Sequence, residues 1–412
     1  MVRMASKLTF GTSIADWQER IDVARMRAER AERARKLMRE HDIPVLLAAR
    51  ADNTRYLTGL RGPEFMPQLW YVLFFAEHDP VVFEHAGWHS QMPRDAPWIR
   101  HWRLARCWLA GAPGPRATQN EAKRFAAEVR EELQARGLAG EKLGVTGFDG
   151  LAQQALREAG IATVDAGSLM FEARAIKTVD EINCLKTVAA ICDAGWYRAW
   201  QALRPGVRDV EVSPLVVQAI YQAGADESPP VTFHSGPTSF DRGFNRSGRL
   251  LQHGDLVYAP MCGVTYLGYR SCTYRTFILG RRPTAQEEDW YKRLLDRLDA
   301  VIDAIKPGAT AADAAGHFPP ATAWGYKDEA EVLTMEIGHG VGLYQYDYPI
   351  VNRQWSLDNP QVFEPGMVVA IEGREGEDRV GGVRLENMIV VTESGAEIID
   401  HFPRDQILEA PL

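Results

Sequence analysis

Apolar residues follow two different rhythms along this chain. In the first 170 residues, short unbroken runs such as IPVLLAA, LWYVLFFA and PVVFE alternate with longer charged stretches in which Ala, Leu and Met recur at helical spacing. Runs of that length, rich in β-branched and aromatic residues, predict buried strands, and the stretches between them predict amphipathic helices. One helix is expected from Ile21 to His41 and another from Asn120 to Arg136, the second leading into KLGVTG, an Ala-rich helix and IATVDA. Strands alternating with helices predict an α/β domain over residues 1–170.

The remainder, residues 171–412, is organised around two long helices. RAIKTVDEINCLKTVAAICDAGWYRAWQAL places Ile182, Leu185, Val188 and Ala189 at helical spacing before Pro205 and Gly206 end it. EEDWYKRLLDRLDAVIDAIKPG stops in the same way at Pro307 and Gly308. A short helix is expected after each stop, at Arg204 to Ile220 and Lys306 to Phe318. Strand material comes after both: VYAPMCGVTY and YRTFILG after the first, MVVAIEG and ENMIVVT after the second. This recurrence predicts an internal duplication and one α+β domain with strands at its centre and paired helices outside.

Composition narrows the function classes. With 412 residues and 46% apolar content the chain can bury a large core, and its net charge of −8 argues against nucleic acid or an anionic membrane as a partner. The basic run between Arg20 and Lys36 has apolar residues interleaved at helical spacing and reads as a solvated helix face. No stretch of 18 apolar residues and no secretion signal are found, so neither membrane insertion nor export is expected. Cys107, Cys184, Cys192, Cys262 and Cys272 lack CxxC spacing, which predicts a reducing, cytoplasmic setting without disulfides or a zinc knuckle.

The second half carries a recognisable series of motifs. GD at Gly254 and Asp255, GYRSCTYRTF at Gly268 to Phe277, GHGVGL at Gly338 to Leu343, EPGMVVAIEG at Glu364 to Gly373 and RLENMIVVTESG at Arg384 to Gly395 succeed one another in a fixed order. In this order and spacing they resemble the pita-bread domain of the M24 superfamily of methionine aminopeptidase, prolidase and creatinase. DNTRYLTG and the DEI at Asp180 to Ile182 resemble the N-terminal region of the prolidase and creatinase branch. The resemblance implies an α+β pita-bread C-terminal domain, a creatinase-type α/β N-terminal domain and a homodimer.

Peptidases of that superfamily hold two metals through two aspartates, one histidine and two glutamates, because adjacent cations need bridging anionic oxygens. Carried over by resemblance, His339 fills the histidine position and Glu372 and Glu386 the glutamate positions, while Pro260 and Cys272 fall at the aspartate positions. Proline donates nothing, so a metal pair is not expected, although one borderline-soft ion such as zinc would still find donors. A histidine that relatives place before the GD motif falls at Gly243, and His234, ahead of SGP, is its candidate replacement.

These losses lead to the expectation of a metal-independent, cofactor-free hydrolase resembling creatinase and ectoine hydrolase, cleaving the C–N bond of an amidine or amide in a small polar substrate. His339, or His234, would relay protons, Glu372 would orient or deprotonate water, and Glu386 would hold the leaving nitrogen. Tyr346, Tyr269, Arg270 and Arg242 are candidate substrate-binding residues; Arg246 is a further candidate in the loop of Arg242, and Arg275 reads as an anchor. Cys272 reads as a neutral wall residue, with a covalent nucleophile as the lesser alternative. A lyase acting by β-elimination and a catalytically inactive pita-bread binding protein are the competing readings.

Overall fold

The computed structural model describes residues 21–62, 66–85, 91–240, 248–333 and 335–410. The chain divides into two compact units, one of them Val23–Arg174 and the other built on Ala175–Leu412.

In the first unit α1 (Val23–Glu40) leads into β1 (Val45–Ala48), and α2 (Ala51–Thr58) precedes β2 (Trp70–Phe75) and β3 (Val81–Glu84). The short α3 (Met92–Asp95), β4 (His101–Leu104), the long α4 (Pro115–Ala135), β5 (Leu143–Thr146), α5 (Gly150–Glu158), β6 (Thr163–Asp165) and α6 (Gly167–Ala175) complete it. The six strands form one mixed sheet in the order β4-β3-β2-β1-β5-β6. Every residue of β1 and β2 is buried, which is why these strands read as continuous apolar runs and not as alternating ones. On α4, Ala122, Phe125, Ala126, Val129 and Leu133 form the stripe that joins Leu47, Tyr71 and Phe75 in the core. The helix begins earlier than the sequence predicts, with Pro115 in its first turn, where a missing N–H costs nothing.

The second unit opens with α7 (Val179–Ala202) and α8 (Asp209–Gln222), followed by β7 (His234–Ser235), β8 (Leu256–Pro260), the small hairpin of β9 (Thr265–Tyr266) and β10 (Tyr269–Arg270), and β11 (Tyr274–Leu279). Next come α9 (Ala285–Ala304), α10 (Ala311–Ala315), β12 (Ile337–Gly340), β13 (Asp347–Val351), α11 (Arg353–Ser356), β14 (Val368–Glu377), β15 (Gly381–Val391), β16 (Ala396–Ile398) and β17 (Leu408–Ala410). The main sheet runs β13-β12-β14-β15-β11-β8-β7, with β16 on β15 and β17 on β11. Both long helices start in capping boxes, Thr178 with Glu181 and Thr284 with Glu287, which satisfy the first free N–H groups.

The repeated proline–glycine stops have matching surroundings. Gly206 donates its N–H to Leu251 and Gly308 to Phe363, with φ of 88° and 83°, and two residues later Arg208 bridges Leu250 while Thr310 bridges Val362. The two copies differ in the helix after the stop: α8 has 14 residues and α10 only five.

Candidate active site

Adjacent strands of the second sheet bring the chemistry together. Glu372 on β14 lies directly opposite Glu386 on β15, and His339 on β12 lies opposite Ala370, two residues from Glu372 and therefore on the same face of the sheet. Tyr274 on β11 is in register with Glu386 and with Pro260. All three of His339, Glu372 and Glu386 are at most 2% exposed.

Two glycines explain how His339 is held. A Cβ at Gly340 would sit 2.1 Å from the Tyr348 carbonyl oxygen, and one at Gly338 2.4 Å from Ile371, so β12 is pressed between its neighbours and only the histidine of GHG projects. The imidazole Nδ1 is 3.1 Å from the Gly340 carbonyl. A proton on Nδ1 donated to that carbonyl leaves Nε2 as the acceptor, facing Glu386 Oε1 at 3.8 Å.

Beyond Pro260 and ahead of β11, the Met261 N–H donates to Thr273 and the Gly263 N–H to Ser271. That register sets Cys262 opposite Cys272, with their sulfurs 2.8 Å apart and Cys262 Sγ 3.6 Å from Glu386 Oε2. Glu386 thus reaches the thiols with one oxygen and His339 with the other. No motif of the sequence singles out Cys262. The available signal is two cysteines ten residues apart across a GY turn, a separation that becomes a contact only once the register is known.

Electrostatics in this cluster favour protons. Burial, reinforced by Cys262 and Glu372, pushes the Glu386 carboxyl well above the usual carboxylate range, and burial together with Cys262 pushes the Cys272 thiol up. The Tyr274 hydroxyl is raised by burial and by Glu372. Without a cation these surroundings favour the protonated forms, and a cation placed among the groups would oppose each of these shifts. The fully buried Arg384 guanidinium lies over the rings of Tyr258 and Tyr274 and 3.7 Å from Glu372 Oε2.

The other expected site residues separate into groups. His234 is buried, stacked on Tyr258 at 4.8 Å, and reaches the cluster through that ring and Arg384. Tyr346 is 40% exposed with its ring 4.5 Å from the imidazole of His339. Arg270 lies two residues before Cys272 and donates from Nε to the Leu343 carbonyl. Tyr269 is fully buried and donates to Glu181 at 2.8 Å, which puts its hydroxyl in the frame of α7 and not in the cluster. Arg242, Gly243 and Arg246 lie outside the described residues.

Comparison with known proteins gives this arrangement a context. The model of metallopeptidase family M24 matches residues 183–393. The probable dipeptidase PepE of Mycobacterium tuberculosis is 31% identical over 251 residues, 60% of this chain and 64% of that protein. The Xaa-Pro dipeptidase of Pyrococcus furiosus is 29% identical over 234 residues, 56% of this chain and 65% of the relative. The matched segments therefore span less than two thirds of the length of these relatives. Among solved structures, the Xaa-Pro dipeptidase from Bacillus anthracis superposes with a TM-score of 0.75 at 25% identity, covering 93% of this chain and 99% of that one. These matches bear out the α+β pita-bread fold with its α/β N-terminal domain.

They also correct the expected chemistry. The expectation of metal-independent, creatinase-like C–N hydrolysis rests on reading Pro260 and Cys272 at the aspartate positions, but the relatives carry the names of dipeptidases and Xaa-Pro dipeptidases within a family of metallopeptidases. The lyase and the inactive binding protein find no support among them either.

Proposed function

The chain belongs to metallopeptidase family M24, and from that premise we propose that it is a hydrolase of short peptides, cleaving the amide C–N bond of dipeptide-sized substrates. The observation that carries this reading is the convergence of His339, Glu372 and Glu386 on one buried face of the sheet. Support comes from relatives named as dipeptidases at about 30% identity.

A metal fits the residues present. The sulfurs of Cys262 and Cys272 and a carboxylate oxygen of Glu386 lie within 4.8 Å of one another, and Glu386 Oε1 is buried without a hydrogen-bond partner among the described residues. A metal held there would supply Lewis-acid polarisation of the scissile carbonyl and acidify water. The chain's own groups do the rest. Glu372 accepts a proton from the attacking water, its charge held by the Arg384 guanidinium at 3.7 Å. His339 offers Nε2 to the peptide, and Tyr346 closes over the imidazole from the solvent side.

The test is hydrolysis of a dipeptide panel, including Xaa-Pro members, by purified protein supplied with zinc, manganese or cobalt and read as released amino acids. Turnover that disappears on chelation and falls by about 100-fold or more in Glu372→Gln is expected, in the range of general acid–base contributions. No hydrolysis of any dipeptide with any of the three metals would sink the reading.

A further inference from the structure

Cys262 and Cys272 occupy facing positions on two chain segments held together by hydrogen bonds on either side, Met261 to Thr273 and Gly263 to Ser271, each 2.8 Å. Residues opposite one another between two such bonded pairs have their Cβ atoms close, so both thiols point to the same face of the sheet. Glu386 arrives on that face from the neighbouring strand, since its register partner Tyr274 is two residues from Cys272. The result is two soft sulfur donors and one carboxylate meeting at a single point.

We propose that Cys262, Cys272 and Glu386 form a thiolate-rich site for one zinc ion, in place of a pair of ions bridged by carboxylates. The proposal deepens the peptidase reading and rests on the same site. Three arguments carry it. The mutual separation of the donors, within 4.8 Å, is the spacing that ligands at about 2.0–2.3 Å from a single tetrahedral zinc can close to with small rotations of their side chains. Glu386 has no exposed surface and its Oε1 has no hydrogen-bond partner among the described residues, a costly condition for a buried acid that a cation would relieve. Sulfur donors select zinc over the harder manganese or magnesium, for which carboxylate and water are the suited ligands.

Three protein donors leave the fourth position of a tetrahedral ion open to water or substrate. His339 lies next to the donor set, with Nε2 3.8 Å from Glu386 Oε1. Binding displaces the thiol protons to solvent, so each sulfur passes from S–H to zinc thiolate and no electrons are transferred.

Cobalt(II) is the probe that reads this directly. Metal-stripped protein titrated with Co(II) is expected to take up one ion per chain with an intense thiolate-to-cobalt charge-transfer band in the near ultraviolet, displaced by one equivalent of zinc. Cys262→Ser and Cys272→Ser should each abolish or halve the band and weaken zinc binding by more than the ~10–100-fold typical of lost outer-shell partners. Cys107→Ser, in the other unit, should leave the band unchanged, and circular dichroism checks that each variant is folded. Two ions per chain with no charge-transfer band, or no ion bound at all, would overturn the proposal. Peptidase activity is read separately: a band without hydrolysis removes only the peptidase reading, and hydrolysis without a band removes only the thiolate site.

Discussion

Arg275 and Arg384 are buried arginines on neighbouring strands, 1% and 0% exposed, yet their surroundings are opposite. Arg275 donates from Nε to Pro403, from Nη1 to the carbonyls of Tyr274 and Glu386, and from Nη2 to Asp400 and Phe402. Asp400 in turn accepts from Asn387 and from the Met388 N–H. The Arg384 guanidinium makes no hydrogen bond among the described residues and meets two tyrosine faces and a carboxylate at 3.7 Å. A buried charge with every donor satisfied fixes structure; one left short of partners holds potential for a site. The same sheet thus carries a finished polar network on one arginine and an unfinished one on the other.

The strongest way to break this contrast is Arg275→Met. It would leave Asp400 buried beside unanswered carbonyls, and loss of about 3–5 kcal/mol of stability is expected in urea unfolding, the range for one partner removed from a buried pair. A loss below about 1 kcal/mol would show that the network is not the anchor that its geometry indicates.

Arg384→Met is expected to do much less to stability and more to function. No side-chain hydrogen bond is lost, and the linear replacement still fills the space between Tyr258 and Tyr274. The cost of taking the cation away from Glu372 is offset by removing a buried guanidinium that itself lacks hydrogen bonds among the described residues, so the expected change is about 1 kcal/mol or less. Glu372 loses the cation that holds its charge, so turnover should fall while the unfolding midpoint barely moves. A midpoint shift as large as that of Arg275→Met, measured side by side, would erase the distinction between anchor and site.

Much of this is legible in the sequence and some is not, for physical reasons. The strand pairs that carry His339, Glu372 and Glu386 announce themselves through motif order and apolar runs, and the C-terminal ends of α7 and α9 through the proline–glycine stops. Which residue faces Cys272 depends on register, and register depends on how many residues the β9–β10 hairpin absorbs. Counting along the chain puts Pro260 at the donor position, whereas the structure pairs Pro260 with Tyr274 and leaves Cys262 facing the thiol. Tyr269 shows the same limit, because its hydroxyl is taken by Glu181, 88 residues away, a partner that no local pattern reveals.

The smallest expected effect belongs to the other unit, where charges are satisfied near solvent. Glu132 accepts from Arg103 at 2.7 Å and from Arg136 at 2.5 Å. Burial pushes its carboxyl up, but the hydrogen bonds from both guanidinium groups overcome that and hold it below the usual glutamate range. In the unfolded chain the carboxyl returns to its ordinary value, so the folded state binds the proton less well. The stabilisation is therefore fully present above the ordinary glutamate pKa and is lost as pH falls through the lowered one. Because the pair is partly exposed, its worth is under about 1 kcal/mol. Glu132→Gln should lower stability slightly at neutral pH and not at all once the carboxyl is protonated in both the folded and the unfolded chain. Thermal melts of the two proteins should therefore converge on acidification; curves that stay parallel down to the acid limit would mean that Glu132 contributes through packing and not through charge.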